Sequence, residues 1–298
     1  MSAVPTTRPM PTAVLGRAGV SLSRLCLGAM NFGGPTPEAE AQRIIADARD
    51  HGVDFIDTAN TYTEGRSEEV VGRALKGERN RWFIATKVGN PQGSGFNQRG
   101  LSRAHVMASL ETSLRRLQTD VIDLLYVHKI DPLTPWEEVV ETFGGLVRAG
   151  RIRYWGLSNV RGWQVAHVVH LARAQHLPPP VALQPYYNLL NRQPEVELLP
   201  AARALGLGVV SYSPIARGIL SGKYALNVVP EPGSRAARQD RRFVETEWRP
   251  ESLEIARRLA AHAEGRGARL VDLAVEIGDA GLGGDSALVR RNQQHLQR

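Results

Sequence analysis

Three features of this 298-residue chain predict an α/β barrel. Short apolar runs alternate with amphipathic segments almost to its end, there are eight such runs, and polar residues stand just beyond several of them. Strand followed by helix, repeated, implies parallel pairing through right-handed crossovers. Eight repeats are the number that closes a barrel, and a barrel of parallel strands carries its chemistry at the strands' C-terminal ends.

The elements follow in order. Residues 13–20 read as a hairpin turning at Gly16 to Gly19 and covering one end of the barrel. Strands are expected at 25–28, 54–57, 82–87, 122–128, 154–157, 181–184, 208–212 and 286–289, each a short apolar run bounded by turn residues. Between them, helices are expected at 38–51, 67–76, 103–117, 135–149, 162–175 and 194–205, where apolar residues recur at three- and four-residue spacing. Residues 227–239, rich in Pro, Gly and Arg, read as a long loop over the active face. The alternative, an open doubly wound sheet, lacks the G-x-G-x-x-G it would want after the first strand. The expectation is therefore one (β/α)8 TIM barrel domain over residues 1–298, with an N-terminal hairpin, a flexible stretch at 1–11 and an atypical tail at 278–298.

Composition narrows the function classes. Lys and Arg number 37 against 30 Asp and Glu, a formal charge of +7, yet no block of five basic residues occurs and no segment interleaves basic with aromatic residues. That argues against nucleic acid and favours a phosphate-bearing small ligand, with a merely solvated basic surface as the plain alternative. Cys26 has no partner for a disulfide, fits a reducing compartment and reads as a buried structural thiol. No stretch resembles a signal peptide or reaches the roughly 20 apolar residues of a membrane span, so a cytoplasmic protein without membrane partners is expected. His167 and His170 form the closest His pair but fall in a helix candidate, and no strand carries an H-x-H pair, which leaves a metal-dependent hydrolase weakly supported.

Four polar residues follow three of the strands: Asp57 and Tyr62, Lys87, and His128. Singly, each is most simply a structural hydrogen-bond partner. Together they form a proton-donating group, because a phenol with a reference pKa of about 10 donates well near neutrality only if its phenolate is stabilised. The Lys87 ammonium would do that, Asp57 would fix Lys87, and His128 would orient a substrate oxygen.

Here the chain resembles the aldo-keto reductases, from the hairpin to about Tyr224. The resemblance rests on LCLGAMNFG from Leu25 to Gly33, DTANTY from Asp57 to Tyr62, ATKVG from Ala85 to Gly89, YVHKIDP from Tyr126 to Pro132, GLSN from Gly156 to Asn159, LQPYYNLL from Leu183 to Leu190 and SYSPIARGILSGKY from Ser211 to Tyr224. The resemblance implies a metal-free reductase of aldehydes and ketones using NADPH, with NADH as the alternative. It implies Tyr62 as general acid, Asp57 and Lys87 as its partners and His128 as the residue positioning the carbonyl. It further implies that Ser158, Asn159 and Gln184 hold the nicotinamide carboxamide and that Tyr212 stacks on the ring. Ser213, Pro214, Ile215, Ala216, Arg217 and Lys223 would then surround the pyrophosphate and its ribose.

The tail departs from the family's pattern. Ser286 to Val289 runs directly into Arg290 and Arg291 without the expected glycine; Arg291 best matches the position contacting the 2′-phosphate, and His295 stands where a Gln is expected. Gly278, Gly281, Gly283 and Gly284 weaken a helix by up to about 1 kcal/mol each. The chain stops at Arg298, where the family usually continues, so a weakened last barrel unit and low cofactor affinity are expected. The same resemblance admits a second reading, a cofactor-binding regulator like the potassium-channel beta subunits. Phe32, Trp155 and Tyr187 are expected in the substrate pocket, while substrate identity and oligomeric state are not legible.

Overall fold

In the computed structural model, described for residues 10–95, 97–226, 228–281 and 287–292, eight parallel strands close into a barrel. In chain order the elements are β1 (Thr12–Val14), β2 (Ser21–Ser23), β3 (Leu25–Gly28), α1 (Glu38–Asp50), β4 (Phe55–Asp57), α2 (Arg66–Ala74), β5 (Phe83–Val88) and α3 (Arg103–Leu117). Then follow β6 (Ile122–Val127), α4 (Trp136–Arg148), β7 (Ile152–Ser158), α5 (Gly162–Ala174), β8 (Ala182–Gln184), α6 (Leu198–Leu205) and β9 (Gly208–Ser211). The last elements are α7 (Arg241–Thr246), α8 (Pro250–Glu264), α9 (Leu270–Gly281) and β10 (Ala287–Asn292).

Each barrel strand from β3 to β9 pairs with the next, and β10 closes the ring by pairing with both β9 and β3. Side chains alternate between two cores, as the two-residue period of a strand requires. Cys26, Phe55, Ala85, Leu124, Tyr126, Ala182 and Val210 fill the barrel interior, and the thiol is buried there as expected. Leu27, Ile56, Ile84, Leu125, Val127, Trp155 and Leu183 point outward, into the layer beneath the helices. A third core joins Ile219, Leu220 and Tyr224 to Phe243, Leu253 and Ala256 of α7 and α8 and to Leu270 and Ala274 of α9.

The β1–β2 hairpin seals the end of the barrel where strands begin. Gly16, at φ +54, packs so closely that a Cβ there would meet Gly208 N at 2.4 Å, so only glycine lets the hairpin lie against the start of β9. Its neighbour Arg17 N–H donates to Gly206 O at 3.0 Å. The strands' C-terminal ends are left for chemistry.

The expected elements appear with small boundary shifts, and three differences are informative. The helix expected at 194–205 is split, its first part a 3₁₀ turn at Gln193–Glu195. Three helices, α7 to α9, were not expected. α8 hides behind an Arg- and Ala-rich sequence, with Leu253 and Ala256 among its few buried apolar positions. The glycines of the tail do not stop α9 before Gly281, because its Leu270, Val271 and Ala274 are anchored in the third core. The eighth strand is longer than expected and shifted toward Asn292. Among the described residues no helix is long and apolar enough to cross a membrane.

Candidate active site

The barrel puts its functional side chains at the ends of six strands. Asp57 ends β4, Lys87 is the penultimate residue of β5, His128 follows β6, Ser158 ends β7, Gln184 ends β8 and Tyr212 follows β9. Lys87 is fully buried, and its Nζ donates to Asp57 Oδ1 and to Thr58 O, both at 2.5 Å. The other carboxylate oxygen, Oδ2, accepts from Gln184 Nε2 at 2.9 Å. A buried ion pair is tolerated when its remaining hydrogen-bonding capacity is met in this way.

Tyr62 lies over this pair, with Lys87 Nζ 4.9 Å from its ring centroid and the His128 ring edge-on at 5.8 Å. The loop holding Tyr62 is shaped by left-handed backbone at Thr63 (φ 48) and Glu64 (φ 60). Thr63 Oγ1 ties it down by donating to Phe32 O at 2.7 Å. Behind it, the fully buried Glu68 of α2 accepts from Thr86 Oγ1 at 2.6 Å and faces Arg116 Nη1 at 3.3 Å. Burial pushes the Glu68 carboxyl above its ordinary value, against these hydrogen bonds. Arg116 also donates to Asn60 O at 3.0 Å and so braces the same loop from α3.

His128 is fixed at both ends. Its N–H donates to Val88 O at 2.8 Å, its carbonyl accepts from Asn159 Nδ2 at 2.7 Å, and its Nδ1 stands 2.9 Å from Asn90 Nδ2. Asn159, at φ 56, links further to Ser158 Oγ and accepts from Tyr212 Oη at 2.9 Å.

A cavity of about 380 Å³ opens over these groups, within the usual range for small-molecule sites. Tyr62, His128, Ser158, Asn159, Gln184, Tyr212, Ser213, Pro214, Ile215 and Arg217 all line it. Asp57 and Lys87 lie buried beneath. Ala216 is buried outside the lining, and Lys223 is exposed, its Nζ 5.1 Å from the Tyr224 ring centroid and away from the cavity. Arg291 belongs to β10, where its backbone pairs with Leu27, and its side chain and His295 lie outside the described residues.

The expected substrate-pocket aromatics are not in the lining. Phe32 is fully buried, Trp155 faces α4 with its ring 5.2 Å from that of Phe143, and the Tyr187 hydroxyl donates to Glu195 Oε1 at 2.6 Å. Burial, reinforced by that carboxylate, pushes the Tyr187 phenol up to about 12. In their place the lining holds Asn90, Lys129, Arg235 and Arg242, none of which was singled out from sequence. Only the reading of 227–239 as a loop over the active face pointed toward Arg235.

Arg217, Arg235 and Arg242 share the lining and make one end of the cavity cationic. Arg217 and Arg235 have side chains only 11% and 9% exposed, and desolvation holds both guanidinium groups below their ordinary pKa. Arg217 Nε is buried without a hydrogen-bond partner; its neighbour Glu247, 2% exposed, comes no closer than 3.6 Å. With that distance too long for a hydrogen bond, burial dominates and pushes the Glu247 carboxyl up to about 7, opposed by Arg249. Among the described residues no group of His, Cys, Asp and Glu could hold a metal ion, and His167 and His170 lie on the exposed face of α5.

Over 72% of its length the chain is 44% identical to a Bacillus subtilis protein called an uncharacterized oxidoreductase, YrpG, covering 69% of that protein. It is 38% identical, again over 72% of its length, to proteins of rice and Arabidopsis thaliana described as probable voltage-gated potassium channel subunit beta, covering 67% of each. Residues 24–276 match the model of the Aldo/keto reductase family, and the chain belongs to that family.

Proposed function

We propose that the chain is an oxidoreductase that reduces aldehydes or ketones to alcohols with a nicotinamide cofactor, NADPH in preference to NADH. The observation that carries this reading is the buried Lys87 ammonium, pinned by Asp57 and Thr58 beneath the ring of Tyr62, which lines one cavity together with His128. Tyr62 would give its proton to the carbonyl oxygen as that oxygen gains charge. Lys87 would stabilise the charge left on the phenolate, and Asp57 would keep Lys87 in place and neutralise it. His128 would hydrogen-bond the same oxygen and set its position.

The cationic end fits the phosphates of such a cofactor. Two desolvated guanidinium groups, one with an unpartnered Nε, face a cavity whose lining contains no carboxylate among the described residues. When bound, the cofactor supplies the hydride. Ser158, Asn159 and Gln184 would orient its carboxamide, Tyr212 would stack on the ring, and the segment from Ser213 to Arg217, with Arg235, would hold the phosphates. Lys223 and Arg291 complete the set that the family resemblance assigns. A cytoplasmic protein acting on a small carbonyl compound, without nucleic-acid or membrane partners, is consistent with this reading.

The names of the plant relatives favour a second reading, a cofactor-binding regulator with little turnover. NADPH consumption over a panel of aldehydes and ketones separates the two, with Tyr62→Phe as the blank. Turnover that falls by about 10² or more in the variant supports the reductase; no turnover across the panel, with NADPH still bound, supports the regulator.

A further inference from the structure

Within the cavity the two nitrogens of His128 have different surroundings. Nδ1 stands 2.9 Å from the Asn90 side-chain nitrogen, while the residue lines the cavity beside Tyr62. An amide NH₂ group can only donate, so Nδ1 must offer a lone pair, and a neutral imidazole then carries its proton on Nε2. We infer that Asn90 is a positioning residue that selects the Nε2–H tautomer of His128, so that the ring presents a donor to the substrate's carbonyl oxygen. The inference rests on the carbonyl-reduction reading of the site. In the opposite tautomer Nε2 carries a lone pair, and two lone pairs face each other where a hydrogen bond is needed.

Asn90 is held for this task. It follows β5 by two residues, after Gly89, whose φ of 123 turns the chain and whose carbonyl accepts from Gly100 N at 3.2 Å. The Asn90 backbone is hydrogen-bonded by the imidazole of His105, which is buried on α3. Two residues on, the Gln92 side chain accepts from Ser109 Oγ at 2.6 Å, also on α3. The amide therefore has a fixed origin from which to address His128. The titratable and cationic groups that share the cavity lining with His128 are Tyr62, Tyr212, Lys129, Arg217, Arg235 and Arg242. No carboxylate lines the cavity among the described residues.

The test is nitrogen-15 NMR of the imidazole rings in the full chain, with His128→Gln to assign the signals. Protonated and unprotonated ring nitrogens resonate in separate regions, so the tautomer is read directly on the wild type. Nε2 in the protonated region and Nδ1 in the unprotonated region supports the proposal. The reverse overturns it.

Asn90→Asp substitutes a near-isosteric carboxylate that accepts a hydrogen bond and so favours a proton on Nδ1, which is expected to move to the protonated region; unchanged His128 shifts overturn the proposal. In the same variant kcat for carbonyl reduction is expected to fall by about ten- to a hundredfold with the KM for NADPH within about twofold. Asn90→Ala, which only removes the donor, should leave a mixture of tautomers and a smaller loss. The NMR arm needs no turnover. Absence of any reductase activity alongside the expected tautomer therefore overturns the functional reading while tautomer selection stands.

Discussion

At the proposed catalytic end of the cavity the buried carboxylate of Asp57 is matched on both oxygens, by Lys87 Nζ at 2.5 Å and Gln184 Nε2 at 2.9 Å. Beside the arginine end the buried carboxylate of Glu247 faces Arg217 Nε at 3.6 Å, beyond hydrogen-bond reach, and both atoms lack hydrogen-bond partners among the described residues. The difference follows from what carries each group. Asp57, Lys87 and Gln184 lie on β4, β5 and β8, whose backbones are fixed by parallel pairing, so their polar atoms are held in register. Arg217, Arg235 and Glu247 sit outside the barrel strands, Arg217 in the 3₁₀ segment after β9 and the other two in turns on either side of the short helix α7. One end is complete in itself, as the proposed proton transfer with little rearrangement would need; the other keeps one unsatisfied cationic donor, Arg217 Nε, that an anionic ligand would satisfy.

The largest test of this contrast is to unbalance the complete end. Lys87→Met removes the cation and leaves Asp57 charged and fully buried, so stability should fall by about 3–5 kcal/mol and reductase turnover by about 10² or more. Adding Asp57→Asn to Lys87→Met should recover most of the stability, measured by denaturant unfolding, and none of the turnover. If the single variant is as stable as wild type, the pair is not the closed unit described above.

Glu247→Gln tests the incomplete end with the opposite sign. A carboxyl raised from 4.5 to about 7 in the folded state keeps its proton while the unfolded chain has lost its own. Its contribution to stability is therefore full below pH 4.5 and is lost as pH rises through about 7. Glutamine removes that dependence, so the variant should gain on wild type between pH 5 and pH 8 by up to about 3 kcal/mol. A melting-temperature difference that stays flat across this range would show Glu247 to be ionised and paired.

The two ends also differ in how far the sequence revealed them. The placement of Asp57, Tyr62, Lys87 and His128 was legible because apolar runs locate strands, and a polar residue just past a run lies at the strands' C-terminal face. Residue parity is harder. Trp155 was expected in the pocket but is packed against Phe143, because a side chain one position along a strand faces the opposite layer. At the arginine end, Arg235 and Arg242 lie outside periodic structure or in a six-residue helix, and nothing in a single sequence says which loop arginine turns inward. Asn90 escaped notice for the same reason, since its partner His128 is 38 residues away in the chain.

A smaller effect is expected at Arg235. If the cationic end grips phosphate, Arg235→Gln removes a charge-assisted contact of about 1.5–3 kcal/mol, weakening NADPH binding by about tenfold or more. Turnover at saturating NADPH should stay within about threefold, because the catalytic end is intact. A binding titration that shows no loss would remove phosphate from the interpretation of this end.

Lys223 should matter least, and it tests whether the cationic end acts in the arrangement described. Family resemblance assigns it to the cofactor's phosphates, yet it is exposed and outside the cavity lining. Its Nζ rests 5.1 Å from the Tyr224 ring centroid. A solvated ammonium at such a site contributes little, so Lys223→Ala should change NADPH affinity by less than about twofold. A tenfold loss would require the ammonium to reach the ligand. It would then follow that the turn from Gly218 to Gly222, which carries left-handed backbone at both glycines, rearranges when the cofactor binds. In that case the open valence of Arg217 would describe a site that completes itself around its ligand, in contrast to the strand-borne pair of Asp57 and Lys87.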